Sequence, residues 1–202
     1  MPIELIRRAY IIGYEAIAIT DHVDTSNIDF VIPRIIEVSK GITDDLQITV
    51  IAGAEITHVP PKMIGVLVKK ARELGAEIVV VHGETIVEPV APGTNRAAID
   101  AGADILAHPG LISREDVLKA RDNGVALEIS SRKGHSLSNG HVARIAMDEG
   151  ARLVINTDTH TPDDLITTFK AKTILRASGI PEKMIEEIFE NSRRIVERIK
   201  SS

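Results

Sequence analysis

The stretch ITVIAGAEIT at residues 48–57 is apolar almost without a break and then meets a carboxylate at Glu55. A short, β-branched run of this kind reads as a strand of a parallel sheet, buried on both faces. Five further runs share its character on either side, at 15–22, 77–83, 104–109, 125–130 and 152–158, carrying IAIT, IVVVHG, DILAHPG, ALEIS and LVINTD. Between them lie helical patterns at 61–74, 114–123 and 141–149, and two more, at 162–177 and 181–199, close the chain. Gly75, Gly124 and Gly150 stand where a helix C-terminus favours glycine. Ser113, followed by Glu115 and Asp116, is a good N-cap with acidic residues in the first turn. Strand then helix, repeated from end to end, means an α/β fold with right-handed crossovers. No linker or low-complexity segment interrupts it, so residues 1–202 read as one domain.

Two architectures accommodate six such strands, an open doubly wound sheet and a barrel. A dinucleotide-binding sheet would place a Gly-rich phosphate loop after its first strand, and none is present here. Polar residues are spread instead over the ends of nearly all the strands, as in a (β/α) barrel whose site draws on every C-terminal strand end. The expectation is therefore a TIM-like barrel.

Composition narrows the chemistry. Hydrophobic residues make up 44% and charged residues 26%, ordinary values for a globular protein, while aromatics are only 2% and leave the core to aliphatic side chains. Without cysteine, any metal must be held by His and carboxylate groups. No apolar run is long enough to span a bilayer, and MPIELIRRAY at the start is an amphipathic helix rather than a signal peptide. A cytoplasmic location is the expectation, without a membrane partner. The net charge of -5 argues against a generally basic surface, so nucleic acid is not expected as a partner.

The residues that close the apolar runs are Asp21-His22, Glu55, His82, His108 and Asp158-Thr159-His160. Imidazoles together with carboxylates that can bridge two ions are the ligands a divalent metal cluster needs. Singly, each has a plainer role: a histidine in a loop, Glu55 capping the helix that follows, Asp158 in a turn. Together at one barrel rim and without a metal, they would leave costly unpaired polar atoms.

The stretches ITDHVD, GAEITHVPP, VVVHGET, AHPG, RKGHSLSNG and INTDTH, in this order, resemble the successive motifs of the PHP (polymerase and histidinol phosphatase) family, in particular its stand-alone phosphoesterases. The resemblance implies a distorted (β/α)7 barrel holding up to three metal ions, commonly zinc, manganese or iron. It implies that Glu55 bridges two ions, that His82 and His108 complete one of them, that Asp158 binds the other, and that His22 and His160 hold a third. Asp21 and Glu84, beside these, would orient imidazoles.

One departure is plain. The family opens with a strand carrying HxH and a further His, and Met1 falls where the family already has its first helix. The barrel is therefore expected here without its first strand, leaving two unpaired edges, and the chain is expected to start downstream of its real start. The site of Glu55, His82 and His108 would keep its ligands, while the other two would lack imidazoles, so this form should show weak phosphatase activity at most.

Arg132, Lys133 and His135 follow the fifth run, and Arg132 offers the donor fork that suits phosphate. His58 reads as a loop histidine, and Thr85 and Asn95 as candidate substrate contacts. The functional expectation is hydrolysis of a small phosphorylated substrate, such as histidinol phosphate or a sugar or nucleotide phosphate. Metal-activated water would attack, Arg132 would hold the phosphate and His160 would protonate the leaving alcohol. The alternative is a non-catalytic, accessory PHP-like subunit of a nucleic-acid-processing complex. Either is compatible with a homo-oligomer.

Overall fold

The computed structural model describes residues 1–201, with the backbone alone for 43–45. Its elements run α1 (Pro2–Ile12), β1 (Ala16–Ile19), β2 (His22–Val23), α2 (Ile28–Leu46), β3 (Thr49–Ile56), α3 (Pro61–Glu73), β4 (Ile78–His82) and α4 (Thr94–Asp100). Then follow β5 (Ile105–Ala107), α5 (Arg114–Asn123), β6 (Ala126–Ser130), α6 (Asn139–Glu149), β7 (Leu153–Asn156), α7 (Thr168–Ala177) and α8 (Glu182–Lys200). Every strand pair is parallel, in the order β1-β3-β4-β5-β6-β7, with β2 also on β3. This is an α/β TIM-like fold, a curled sheet with alternating helices in which β1 and β7 remain edges among the described residues.

The run at 15–22 is one strand interrupted once. Ala16 pairs with Thr49 and His22 with Glu55, so the register on β3 survives the break at Thr20-Asp21. That register sets His22 beside Glu55. Gly75, Gly124 and Gly150 take left-handed backbone after their helices, and Ser113 Oγ accepts from the backbone N–H of Asp116. The expectation of a helix over 162–177 is corrected: a 3-10 turn at Pro162–Asp164 is followed by extended backbone at Leu165, and α7 begins at Thr168. Thr161 and Asp164 form a capping box that starts this turn, and the extended backbone of Leu165 ends it.

The period-2 rule then decides which side chains share the barrel interior. Ile51, Ile78, Val80, Ile105, Ala107, Ala126 and Val154 form one buried cluster with Ile195 of α8, which closes the far end of the barrel. Val79, Val81, Leu106, Leu127 and Ile129 point the other way, into a larger cluster with the helices. Continuing the inward parity brings Glu55, His82, Glu128 and Asp158 to the same interior. His108 is out of step with Ala107, and a left-handed backbone (φ 29°) turns it back toward the others.

Two glycines let the strand ends meet. A Cβ on Gly83 would sit 2.3 Å from the Ala107 carbonyl oxygen, and one on Gly110 (φ 63°) would sit 1.8 Å from that of Glu84. The β4 and β5 ends, with their histidines, are thus packed backbone to backbone. No helix among the described residues is long and apolar enough to cross a membrane.

Candidate metal centre

Six of the seven histidines gather at the C-terminal rim, each from a strand end or the loop after it. His82 stands edge-on to His108 at 4.4 Å between ring centroids, and His108 stacks on His135 at 4.1 Å. His22 stands edge-on to His160 at 5.3 Å. The seventh, His141, lies outside this group and meets the Ile112 carbonyl.

Four of the six imidazoles are anchored through Nδ1. His82 Nδ1–H donates to the Gly83 carbonyl and His160 Nδ1–H to that of Asp158. His108 Nδ1 bonds the buried Glu128 carboxylate at 3.2 Å, and His135 Nδ1 bonds the Thr85 hydroxyl at 2.7 Å. A backbone carbonyl only accepts, so the neutral rings of His82 and His160 must carry their lone pair on Nε2. A held Nδ1 and a free, inward Nε2 is how protein imidazoles are prepared to bind metal.

The Nε2 atoms meet three carboxylates. Glu55 lies 3.7 Å from His22 and 3.9 Å from His108. Asp158 lies 3.5 Å from His135 and 3.6 Å from the ring of His160, there on the Nδ1 side. Glu88 lies 3.1 Å from both His58 and His82, and 3.6 Å from His135. Among the described residues, three sets bring their ligand atoms within 4.8 Å of one another: His82, His108 and His135; His22, Asp158 and His160; His58, His82 and Glu88.

The electrostatics describe a site short of positive charge. Burial pushes the Glu55 carboxyl up to about 8, with Asp158, Glu128 and Glu88 adding to the rise against the pull of His108. Burial, and then the charge of His108, press His82 down to about 3, and burial likewise lowers His22 and His135. At His108 burial acts downward too, but the bond to Glu128 together with the negative charges of Glu128, Glu55 and Asp158 outweighs it, and the ring rises to about 9. Protons thus settle on His108 and Glu55 and leave His22, His82 and His135 bare. Glu55 Oε1 and His108 Nε2 are buried without a hydrogen-bond partner, 3.9 Å apart. A divalent cation would satisfy both, so the residues fit a metal.

Backbone strain points to the same place. Of four non-glycine residues with positive φ among the described residues, three are His58 (54°), His108 (29°) and Asp158 (47°). Such conformations cost about 1–3 kcal/mol each and cluster at functional sites.

The structure therefore brings Glu55, His82, His108, His22, Asp158 and His160 to one rim, but in a different grouping. His135, not Glu55, joins His82 and His108 as a close set. Arg132 is tied to Asp158: its Nη1 donates to the Asp158 carbonyl at 3.0 Å, and its Nε lies 3.3 Å from the carboxylate. Lys133 is exposed. Glu84 orients no imidazole; its carboxylate accepts from the N–H groups of Gly93 and Asn95 at the start of α4. Asn95 is structural, accepting from the Glu84 N–H and donating to the Pro109 carbonyl. Asp21 stays exposed.

Sequence reasoning missed Glu128 and Glu88 and gave His135 another role. Glu128 had a signal, a charged residue inside the apolar run ALEIS at inward parity. His135 had one too, since every other strand end or the loop after it supplied a ligand. Glu88 lies six residues beyond its strand and had none.

No family model matches the chain. Over 190 residues it is 49% identical to the uncharacterized protein MJ1295 of Methanocaldococcus jannaschii, covering 92% of this chain and 86% of that one. In fold it is similar to a chain from the cryo-EM structure of archaeal ribonuclease P with mature tRNA, with a TM-score of 0.78 at 21% identity over 98% of this chain and 87% of that chain. It is also similar to a Xaa-Pro dipeptidase with bound methionine, with a TM-score of 0.63 at 12% identity over 99% and 68%. At these identities the likenesses show a shared fold. The first of them overturns the expectation, read from net charge, that nucleic acid is no partner: a chain of this fold sits in an assembly holding tRNA. Net charge describes the diffuse field of an isolated chain and says nothing of a complex whose other components neutralise phosphates.

Proposed function

This chain belongs to the family of the uncharacterized protein MJ1295 of Methanocaldococcus jannaschii, and we propose that it is a divalent-metal hydrolase of phosphoric esters built on a PHP-type barrel. The observation that carries the reading is the rim itself, with six imidazoles, three carboxylates and the orphaned pair Glu55 Oε1 and His108 Nε2. A bound divalent ion supplies Lewis-acid polarisation of a phosphoryl oxygen and a more acidic water. Glu55, His108 and His135 would hold that charge at the barrel interior, while His22, Asp158 and His160 would hold charge nearer the surface.

The remaining roles follow from contacts. Arg132 uses Nη1 and Nε to position Asp158, and its Nη2 has no protein partner among the described residues, free to meet a phosphate oxygen. His160 is exposed, and with its Nδ1–H fixed on the Asp158 carbonyl its Nε2 lone pair is open to the ion that His22 and Asp158 would share with it. Glu128 and Thr85 keep the rings of His108 and His135 in place.

A second reading, an accessory subunit of a nucleic-acid-processing complex, is favoured by a different observation, the shared fold with a chain of ribonuclease P along nearly the whole length. The two readings separate in one experiment. Purified protein loaded with zinc or manganese is offered an aryl phosphate monoester, an aryl phosphodiester and a labelled RNA oligonucleotide. Turnover of any of these, abolished by chelator and by Glu55→Gln, upholds the hydrolase. Metal-loaded protein that turns over none of them, yet co-purifies with RNA or with a ribonucleoprotein, moves the accessory reading to first place.

A further inference from the structure

His82 is where the geometry departs most from the resemblance. The PHP motifs assign this imidazole to the ion of Glu55 and His108, yet its Nε2 is turned toward Glu88 at 3.1 Å. His82 is 97% inaccessible, and its Nδ1–H is committed to the Gly83 carbonyl. In the neutral ring Nε2 therefore presents a lone pair to a carboxylate oxygen. Two lone pairs opposed at this distance repel unless a cation lies between them. His58 approaches the same oxygen, Glu88 Oε2, also at 3.1 Å, and its ring lies 4.7 Å from that of His82. Two ligands of one zinc ion, each at about 2.0–2.1 Å, lie roughly 3.3 Å apart in a tetrahedral arrangement. The separations around Glu88 match that edge more closely than those around Glu55.

The carboxylates also partition the imidazoles. Glu55 has His22 and His108 beside it, Asp158 has His160, Glu88 has His58 and His82, and His135 lies between Asp158 at 3.5 Å and Glu88 at 3.6 Å. Each Nε2 can serve one ion, so an imidazole given to Glu88 is withdrawn from Glu55. His135 stands ready to replace it, since its Nε2 lies in one close set with His108 and His82.

We propose that His58, His82 and Glu88 form a separate divalent-cation site at the rim, outside the Glu55 centre, with transition metals of zinc type as its ligand class. Two of its three ligands, His58 and Glu88, come from the loops after β3 and β4 and are not among the ligands that the resemblance assigns. The side chains of His58 and Glu88 are 44% and 38% exposed, so this ion exchanges with solvent while an inner ion is shielded. The left-handed backbone of His58 is what aims its ring at Glu88 from the far side of the β3–α3 loop. This inference goes beyond the hydrolase reading and does not require it.

The test reads metal uptake, not turnover. Chelator-treated protein is titrated with zinc alone by calorimetry, with bound zinc counted by elemental analysis after desalting. Cobalt(II) spectra serve as a second readout of the ligand set. Wild type is compared with Glu88→Gln, His58→Asn and Glu55→Gln. The exposure of His58 and Glu88 leaves the fold intact in the first two variants, which their melting curves check. The expected result is that Glu88→Gln and His58→Asn each lose one zinc equivalent, or weaken it more than about 100-fold, while the inner equivalent is unchanged. Glu55→Gln should do the reverse and retain the cobalt band that the first two lose. Overturning the proposal takes either of two outcomes: identical stoichiometry and affinity in wild type, Glu88→Gln and His58→Asn, or loss of all zinc together in every variant. If only Glu55→Gln leaves uptake unchanged, the centre behind the hydrolase reading falls and the rim site stands.

Discussion

Replacing Glu55 by Gln removes a buried carboxyl at almost constant shape, and the structure says what that does to metal-free protein. In the fold this group titrates at about 8 instead of 4.5, chiefly because burial disfavours its charge. Ionising it there costs on the order of 5 kcal/mol. Because the folded value is the higher one, the unfolded chain releases this proton first. The contribution of Glu55 is thus fully present below about pH 4.5 and is lost as pH rises toward 8. Gln cannot ionise, so the variant escapes the loss. His22 and His108 face Glu55 and couple to it, while ionisations that do not touch Glu55 are common to both proteins and cancel in the comparison. Urea unfolding of chelator-treated wild type and Glu55→Gln should therefore show the variant gaining about 2–3 kcal/mol on wild type between pH 5.5 and 7.5. Adding zinc at about 100 times its dissociation constant should return about 2.7 kcal/mol to wild type and much less to the variant. A gap that stays constant with pH, or that moves in favour of wild type as pH rises, would refute the reasoning that Glu55 is a carboxylate waiting for a cation.

Three further outcomes follow from particular contacts. Glu128→Gln keeps a partner on His108 Nδ1 but removes the charge that holds its ring, so zinc affinity should drop about 10- to 100-fold in calorimetry with little change in melting temperature. Asn139→Ala leaves the buried N–H and carbonyl of Ser130 without partners and should cost about 2–4 kcal/mol in urea unfolding. Gly110→Ala forces a Cβ against the Glu84 carbonyl at a left-handed position; it should cost at least about 3 kcal/mol and show as a lowered urea midpoint or loss of soluble protein.

Much of the architecture was legible in local pattern. Continuous apolar runs such as IVVVHG and ALEIS can only be strands covered on both faces, and glycines at 75, 124 and 150 end the helices between them. Period 2 also carries Glu55, His82 and Asp158 to one interior, since parallel strands of a barrel present their ends at one rim. Where the reading over 162–177 failed, the reason was local: Leu165 is extended after one capped turn, and a second N-cap at Thr167, whose hydroxyl accepts from the Lys170 N–H, starts α7 afresh.

The amino-acid sequence by itself determined the barrel, the rim and the imidazoles and carboxylates gathered there, because these depend on periodicity and on which residues close each strand. Only the tertiary structure decided which imidazole faces which carboxylate. His82 belongs beside Glu88, His135 enters the inner group, and Arg132 braces Asp158, all through contacts between loops far apart in the chain. Charge led the sequence reading astray over nucleic acid, since a net value averages over a surface and recognition is local. The physical reason is common to all of these: strand parity is a property of neighbours along the chain, while the direction of an Nε2 lone pair is set by whatever holds the opposite nitrogen.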